Sequence, residues 1–201
     1  MLSDIHGNLE AFTRCLEDID RLNIDQIVNL GDAIGYGPQP EDVIVILEKR
    51  AIPNILGNHE LAVLDKNYRG DFSIQALRSI EQTLKYLTSA SIQYLKTLSA
   101  YRELEGALMV HGCPPDSPTV YLDHMSFPEI KETFTSNDFD IAFVGHTHRV
   151  MLMGYDGKDL QLDPLQQETI RTQVEISVYR QCWLGRPTKR WRSACKICDM
   201  G

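Results

Sequence analysis

The sequence has no long apolar run. Its longest, Val43-Ile44-Val45-Ile46-Leu47, falls far short of the roughly 20 residues that cross a bilayer as a helix, so no membrane partner is expected. Asp4 and His6 stand where a secretory leader would carry its apolar region, which makes the cytoplasm the expected compartment. Cysteine is sparse and odd in number: five, at positions 15, 113, 182, 195 and 198, which argues against a disulfide framework and for free thiols. Cys195-x-x-Cys198 has no paired second element, and alone it is a weak zinc signal. Positive charge is also scarce. With 20 Lys/Arg against 28 Asp/Glu and a net charge of −8, no nucleic-acid groove is expected, because gripping a phosphate backbone needs a basic footprint. The imbalance is uneven: residues 170–201 hold seven Lys/Arg and two Asp/Glu, a net +5, which leaves −13 for residues 1–169. A small phosphorylated substrate drawn in by metal ions is compatible with such a surface.

What is present reads as a globular chain. Apolar residues make up 43% and charged residues 24% of 201 positions, ordinary values for one domain, here expected over residues 1–201. From Asn8, the apolar positions Leu9, Phe12, Leu16, Ile19 and Leu22 step by three or four, which predicts a helix packed on a sheet. Ile27–Leu30 predicts a strand ending at Gly31-Asp32, followed by a Gly/Pro loop from Gly35 to Pro40 and a helix whose first turn carries Glu41 and Asp42. The cycle repeats with a strand at Ile52–Leu56, the tripeptide Gly57-Asn58-His59, and helical spacing at Ile74, Leu77, Ile80, Leu84 and Leu87. Further strands are predicted at Ala107–Val110, Ile141–Val144, Arg149–Met153 and Val174–Val178. Alternating strands and helices predict an α/β fold with a largely parallel inner sheet and a second sheet against it, and ligands in such folds sit beyond the carboxyl ends of strands.

Those ends carry the chemistry. In order they read Ser3-Asp4-Ile5-His6-Gly7-Asn8, Gly31-Asp32, Gly57-Asn58-His59-Glu60, Val110-His111-Gly112 and Gly145-His146-Thr147-His148. Carboxylate, amide oxygen and imidazole suit Mn, Fe, Zn, Co or Ni, and no thiolate is among them. Each element alone has an ordinary explanation: Asn8 is a helix cap, Gly-Asp a turn, a lone histidine a satisfied core residue. His146-x-His148 is stronger, since alternate residues of an extended segment point the same way and two imidazoles together call for a cation. Five such elements at successive strand ends make the bland reading improbable. Arg149 reads as a surface residue and His124 as a loop residue.

The ordered set Asp-x-His, Gly-Asp, Gly-Asn-His, His-Gly and Gly-His-x-His over residues 2–150 resembles the calcineurin-like metallophosphoesterases, small bacterial phosphoesterase branch. The resemblance implies a sandwich of two mixed sheets flanked by helices, with a dimetal site at strand C-terminal ends. It implies that Asp4, His6, Asp32 and His148 hold one divalent metal and Asp32, Asn58, His111 and His146 the other, with Asp32 bridging and manganese favoured. The implied reaction is hydrolysis of phosphomonoesters or phosphodiesters, nucleotides included, by in-line attack of a hydroxide held between the metals, with His59 as acid or charge stabiliser. The alternative is a non-catalytic scaffold on the same fold, against which the presence of His59 counts. Substrate choice would lie in loops such as Tyr36–Gln39 and Pro114–Tyr121. Two departures from the family pattern are expected to matter: the first central strand is clipped to Met1-Leu2-Ser3, and residues 178–190 lack a glycine-rich family motif apart from Gly185-x-Pro187, which suggests a reading-frame disturbance there.

Overall fold

A computed structural model describes residues 1–149, 151–163 and 182–184. The predicted helices form where their caps stand. In α1 (Leu9–Arg21) the Asn8 side chain accepts from Ala11 N at 3.2 Å, Glu10 lies in the first turn, and Ala11, Phe12 and Leu16 are buried. In α2 (Pro40–Lys49) Pro40 sits at the start, where its missing N–H costs nothing. α3 (Asn58–Leu64) follows Gly57 directly, and α4 (Ile74–Tyr86) is capped by Ser73, which accepts from Ala76 N. Two of α4's predicted core positions are open, Ile74 at 73% and Leu84 at 39% exposure, because Ala76, Ile80 and Thr83 form the packed face. α5 (Ser89–Leu95) and α6 (Phe127–Ser136) begin at Thr88 and Ser126, the latter with Glu129 in a reciprocal capping box.

One six-stranded mixed sheet comprises β1 (Tyr101–Leu104), β2 (Ala107–Val110), β3 (Ile141–Phe143), β4 (Leu152–Tyr155), β5 (Leu160–Asp163) and β6 (Cys182–Leu184), in the order β1-β2-β3-β6-β4-β5. β2 and β3 run parallel, as do β4 and β6; the remaining pairs are antiparallel. β4 begins later than the expected Arg149. The expected strand Val174–Val178 lies outside the described residues, as does segment 178–190 apart from Cys182–Leu184.

Two other expected strands, Ile27–Leu30 and Ile52–Leu56, are reduced to single parallel bridges, Leu2 with Asn29 and Asn29 with Asn54. The bonds are regular where they exist: Leu2 N to Val28 O and Leu30 N to Leu2 O, both 2.8 Å, then Asn29 N to Pro53 O and Ile55 N to Asn29 O. The ladder stops because Gly31 and Asp32 turn to positive φ, 96° and 52°, and Pro53 has no N–H to give.

Period-two alternation then sorts the layers. Ala107, Met109 and Ile141 face Val28, Leu30 and Ile55 across one core, while Leu108, Val110 and Ala142 face Ile130 of α6 and Leu122 across another. A third core joins Leu2 and Ile52 to Phe12, Leu16, Ile44, Leu47 and Ile80 of the helices. The order through the molecule is therefore helices, short parallel ladder, mixed sheet, helix. Among the described residues, no helix is long and apolar enough to cross a membrane.

Candidate metal centre

The ladder and sheet release their chains at one end, where the sequence motifs meet. Asp4 N donates to Gly31 O at 3.1 Å and His6 N to Asp32 O at 2.9 Å, which ties the first motif to the second. Asn58 and His59 open α3, His111 follows β2, and His146 and His148 follow β3. Gly145 N donates to His111 O at 2.7 Å and joins the last two motifs. Among non-glycine residues with positive φ are Asp4 (54°), His6 (51°), Asp32 (52°), His146 (67°) and His148 (54°). Such backbone costs about 1–3 kcal/mol per residue and persists where the surroundings impose it. The extended conformation expected for His146-Thr147-His148 is therefore replaced by a turn, with Thr147 N bonded to Gly145 O at 2.7 Å. The two imidazoles enter different clusters as a result.

Asp4, His6 and His148 form one group whose ligand atoms lie within 4.8 Å of one another; Asp32, His111 and His146 form a second, and His6, Asp32 and His59 a third. The two carboxylates are held alike, with one oxygen pinned and one presented. Asp4 Oδ2 accepts from Ser3 Oγ at 2.5 Å and His146 N at 3.2 Å, while buried Oδ1 makes no hydrogen bond and faces Nε2 of His148 at 3.2 Å and of His6 at 3.9 Å. Asp32 Oδ1 accepts from His59 N at 2.9 Å, and Oδ2 faces Nε2 of His111 at 3.3 Å, His6 at 3.9 Å and His59 at 4.0 Å.

The histidines are oriented from behind. His6 Nδ1 lies 3.1 Å from the Ile34 carbonyl, His111 Nδ1 2.7 Å from that of Leu30, and His146 Nε2 3.1 Å from that of Thr119. A carbonyl only accepts, so each of these nitrogens carries a proton and the opposite ring nitrogen keeps its lone pair. His111 Nε2 then meets Asn58 Oδ1 at 3.0 Å and Asp32 Oδ2 at 3.3 Å, three electron-rich atoms together. They require a positive charge, either a proton or a metal ion. Burial opposes charge on His111, yet Asp32, Asp4 and Glu60 outweigh it and push it up to about 10. Burial also opposes charge on Asp32, but His111, His59 and His6 hold its carboxyl well below the usual range. His59 and His146 are lowered to about 4, chiefly by burial. A divalent ion would answer the same demand, and the hard-to-borderline O and N donors fit one.

The sequence reading missed the supports. Glu60 is fully buried and accepts from Asp32 N (2.9 Å), Gly57 N (3.0 Å) and Ile34 N (3.2 Å), so it clamps the loop that carries Asp32. Burial and Asp32 push it up to about 8, against the pull of those amides. Its signal was an acid three residues after a helix-starting glycine. A Cβ on Gly57 would come within 2.1 Å of Asp32 Oδ1, and one on Gly145 within 2.1 Å of Ser3 Oγ, so both glycines are needed for close approach. Asn8 caps α1, Arg149 pairs with Asp123 at 3.4 Å, and His124 ends a short turn against Tyr121. Cys15 and Cys113 are free; Cys195 and Cys198 lie outside the described residues.

Known proteins resemble this chain in sequence and in fold. The family model described as calcineurin-like phosphoesterase matches residues 1–150. An uncharacterized protein of Methanocaldococcus jannaschii, MJ0912, is 30% identical over 152 residues, 74% of this chain and 61% of its own. Among solved structures, a metallophosphoesterase from Sphaerobacter thermophilus is similar with a TM-score of 0.60 and 28% identity, over 75% of this chain and 60% of that one. Protein PH1004 from Pyrococcus horikoshii shares the fold at a TM-score of 0.65 and 21% identity, over 76% and 69% of the two chains. The chain thus spans about three fifths of the M. jannaschii and S. thermophilus relatives.

Proposed function

Since the chain belongs to the calcineurin-like phosphoesterase family, we propose that it hydrolyses phosphomonoesters or phosphodiesters at a two-metal centre. Asp4, His6, Asp32 and His148 would hold one ion, and Asp32, Asn58, His111 and His146 the other. The observation that carries this reading is the pair of groups, Asp4/His6/His148 and Asp32/His111/His146, with Asp32 Oδ2 3.9 Å from His6 Nε2 of the first and 3.3 Å from His111 Nε2 of the second. Two divalent cations, manganese first among Mn, Fe, Zn, Ni and Co, would supply the charge that draws in phosphate oxygens and makes water acidic enough to attack at neutral pH.

The protein's own part is positioning. Ser3 and His146 N hold Asp4, His59 N holds Asp32, and three backbone carbonyls hold His6, His111 and His146, so the donors are in place before substrate arrives. His59 is fixed at the same point: its backbone grips Asp32, and a Cβ on Gly35 would come within 2.1 Å of its Nδ1. That nitrogen is buried without a hydrogen-bond partner, which leaves Nε2 as the atom for substrate. Neutral at neutral pH because burial lowers it to about 4, His59 would stabilise charge on the phosphoryl group through its N–H, or protonate the leaving oxygen once a bound phosphate has raised it.

The test is a panel of aryl and alkyl phosphomonoesters and phosphodiesters, assayed with each metal and with His59→Asn as the blank. Metal-dependent turnover that falls about a hundredfold in the blank is expected. Absence of turnover throughout would favour a binding protein on the same fold, and equal turnover in His59→Asn would take His59 out of the reaction.

A further inference from the structure

Two tyrosines at the mouth of the centre have no role in the three cores. Tyr36 is 50% exposed, yet it is fixed: its φ is 53°, its N–H is bonded to Ser79 Oγ at 2.6 Å, and the next residue, Gly37, donates to His6 O at 2.8 Å. A bulky residue with positive φ is a strained outlier, held here by those two bonds. Its ring centroid lies 4.9 Å from that of His6 and 4.7 Å from that of His59. Tyr121, 39% exposed, comes from the loop whose Thr119 carbonyl holds His146, and it stacks on that histidine at 3.6 Å with 26° between planes. Both rings therefore stand against histidines of the candidate centre. Burial and the charge of Asp32 raise both phenols, and Tyr36 adds to the rise at Tyr121.

An ester bound with phosphorus over the clusters would present its leaving group at His59, beside Tyr36, with Tyr121 on the His146 side. Tyrosine rings favour flat π partners by offset or edge contacts, beyond what burial alone provides. We propose that Tyr36 and Tyr121 are specificity-determining residues that select phosphate esters whose leaving group is a flat aromatic ring. This rests on the phosphoesterase reading above and names its substrate class.

The experiment compares phenylphosphonate, cyclohexylphosphonate and methylphosphonate by calorimetry on manganese-loaded protein, with metal content measured for every variant. Phenylphosphonate should bind on the order of tenfold tighter than the cyclohexyl compound, which matches it in bulk but has no π face. Tyr36→Leu and Tyr121→Leu should each cut that ratio by about two- to tenfold, and the Phe variants should keep it within about twofold. If Tyr121→Leu loses metal, the ratio in Tyr36→Leu decides. Equal binding of the two rings by the unaltered protein, or a ratio that survives in the double Leu variant, overturns the specificity assignment and leaves the phosphoesterase reading standing. Failure of the metal-loaded protein to bind any of the three phosphonates overturns both.

Discussion

Replacing Gly145 by alanine tests how tightly the motifs are locked together. The backbone permits it, since Gly145 does not use the left-handed region, but the space does not. A Cβ would lie 2.1 Å from Ser3 Oγ, 2.9 Å from Asp4 Oδ2 and 3.3 Å from His111 Nδ1. Two of the three neighbours belong to the candidate ligand residues. Overpacking of this kind costs about 1–3 kcal/mol. Ser3 Oγ would also have to leave the 2.5 Å bond it donates to the Asp4 carboxylate, and a bond to a charged group is worth about 1.5–3 kcal/mol. Stiffening of the unfolded chain returns about 0.4–1 kcal/mol. The net expectation is a loss of about 1.5–5.5 kcal/mol, or about 3–22 °C in Tm for a chain of this size. Ser3→Ala removes the nearest clashing atom, so the double variant should recover about 1–2 kcal/mol relative to the sum of the singles. Thermal and urea unfolding followed by circular dichroism give these values. A Gly145→Ala variant within about 0.5 kcal/mol of the parent, or a cycle with no coupling, would refute the packing argument.

Three further variants separate catalysis, clamp and cap. His59→Asn should keep its metals while turnover falls about a hundredfold, less for activated aryl leaving groups if His59 protonates the leaving oxygen; a leaving-group series checks this, and uniform losses would assign charge stabilisation instead. Glu60→Ala strips the acceptor from the Asp32, Gly57 and Ile34 amides and should cost about 3–5 kcal/mol, read by urea unfolding; an unchanged midpoint would contradict the clamp. Asn8→Ala removes only the α1 cap, so a loss of about 1 kcal/mol is expected in the same assay, and Asn8→Gly should recover most of it.

Local chemistry was legible in the sequence, and long-range chemistry was not. Asn8, the Glu41-Asp42 turn and the three-to-four spacing after Ile74 each act within a few residues, so α1, α2 and α4 form as their sequences suggest. Thr88 and the Ser126-x-x-Glu129 box carry the same kind of local signal for α5 and α6. The motif residues were legible because each motif sets Asp, Asn or His next to a glycine where a strand is expected to end. How they are held was not. Thr119 reaching His146, Glu60 reaching Ile34 and Leu30 reaching His111 are contacts across 26 to 81 positions. The spacing His146-x-His148 suggested two side chains pointing one way, whereas left-handed backbone at both sends them to different carboxylates. The runs Ile27–Leu30 and Ile52–Leu56 do supply core residues, but turns and Pro53 shorten their ladder to single bridges.

In the proposed centre one carboxylate, that of Asp32, serves two metal ions. Mass-spectrometric metal counting on protein loaded with manganese and then desalted tests it most directly. Asp32 Oδ2 faces donors of both groups, whereas His148 belongs to the group of Asp4 and His6. Two ions per chain are expected in the parent, loss of both in Asp32→Asn, and loss of one in His148→Ala. Two ions retained in Asp32→Asn would contradict that shared role.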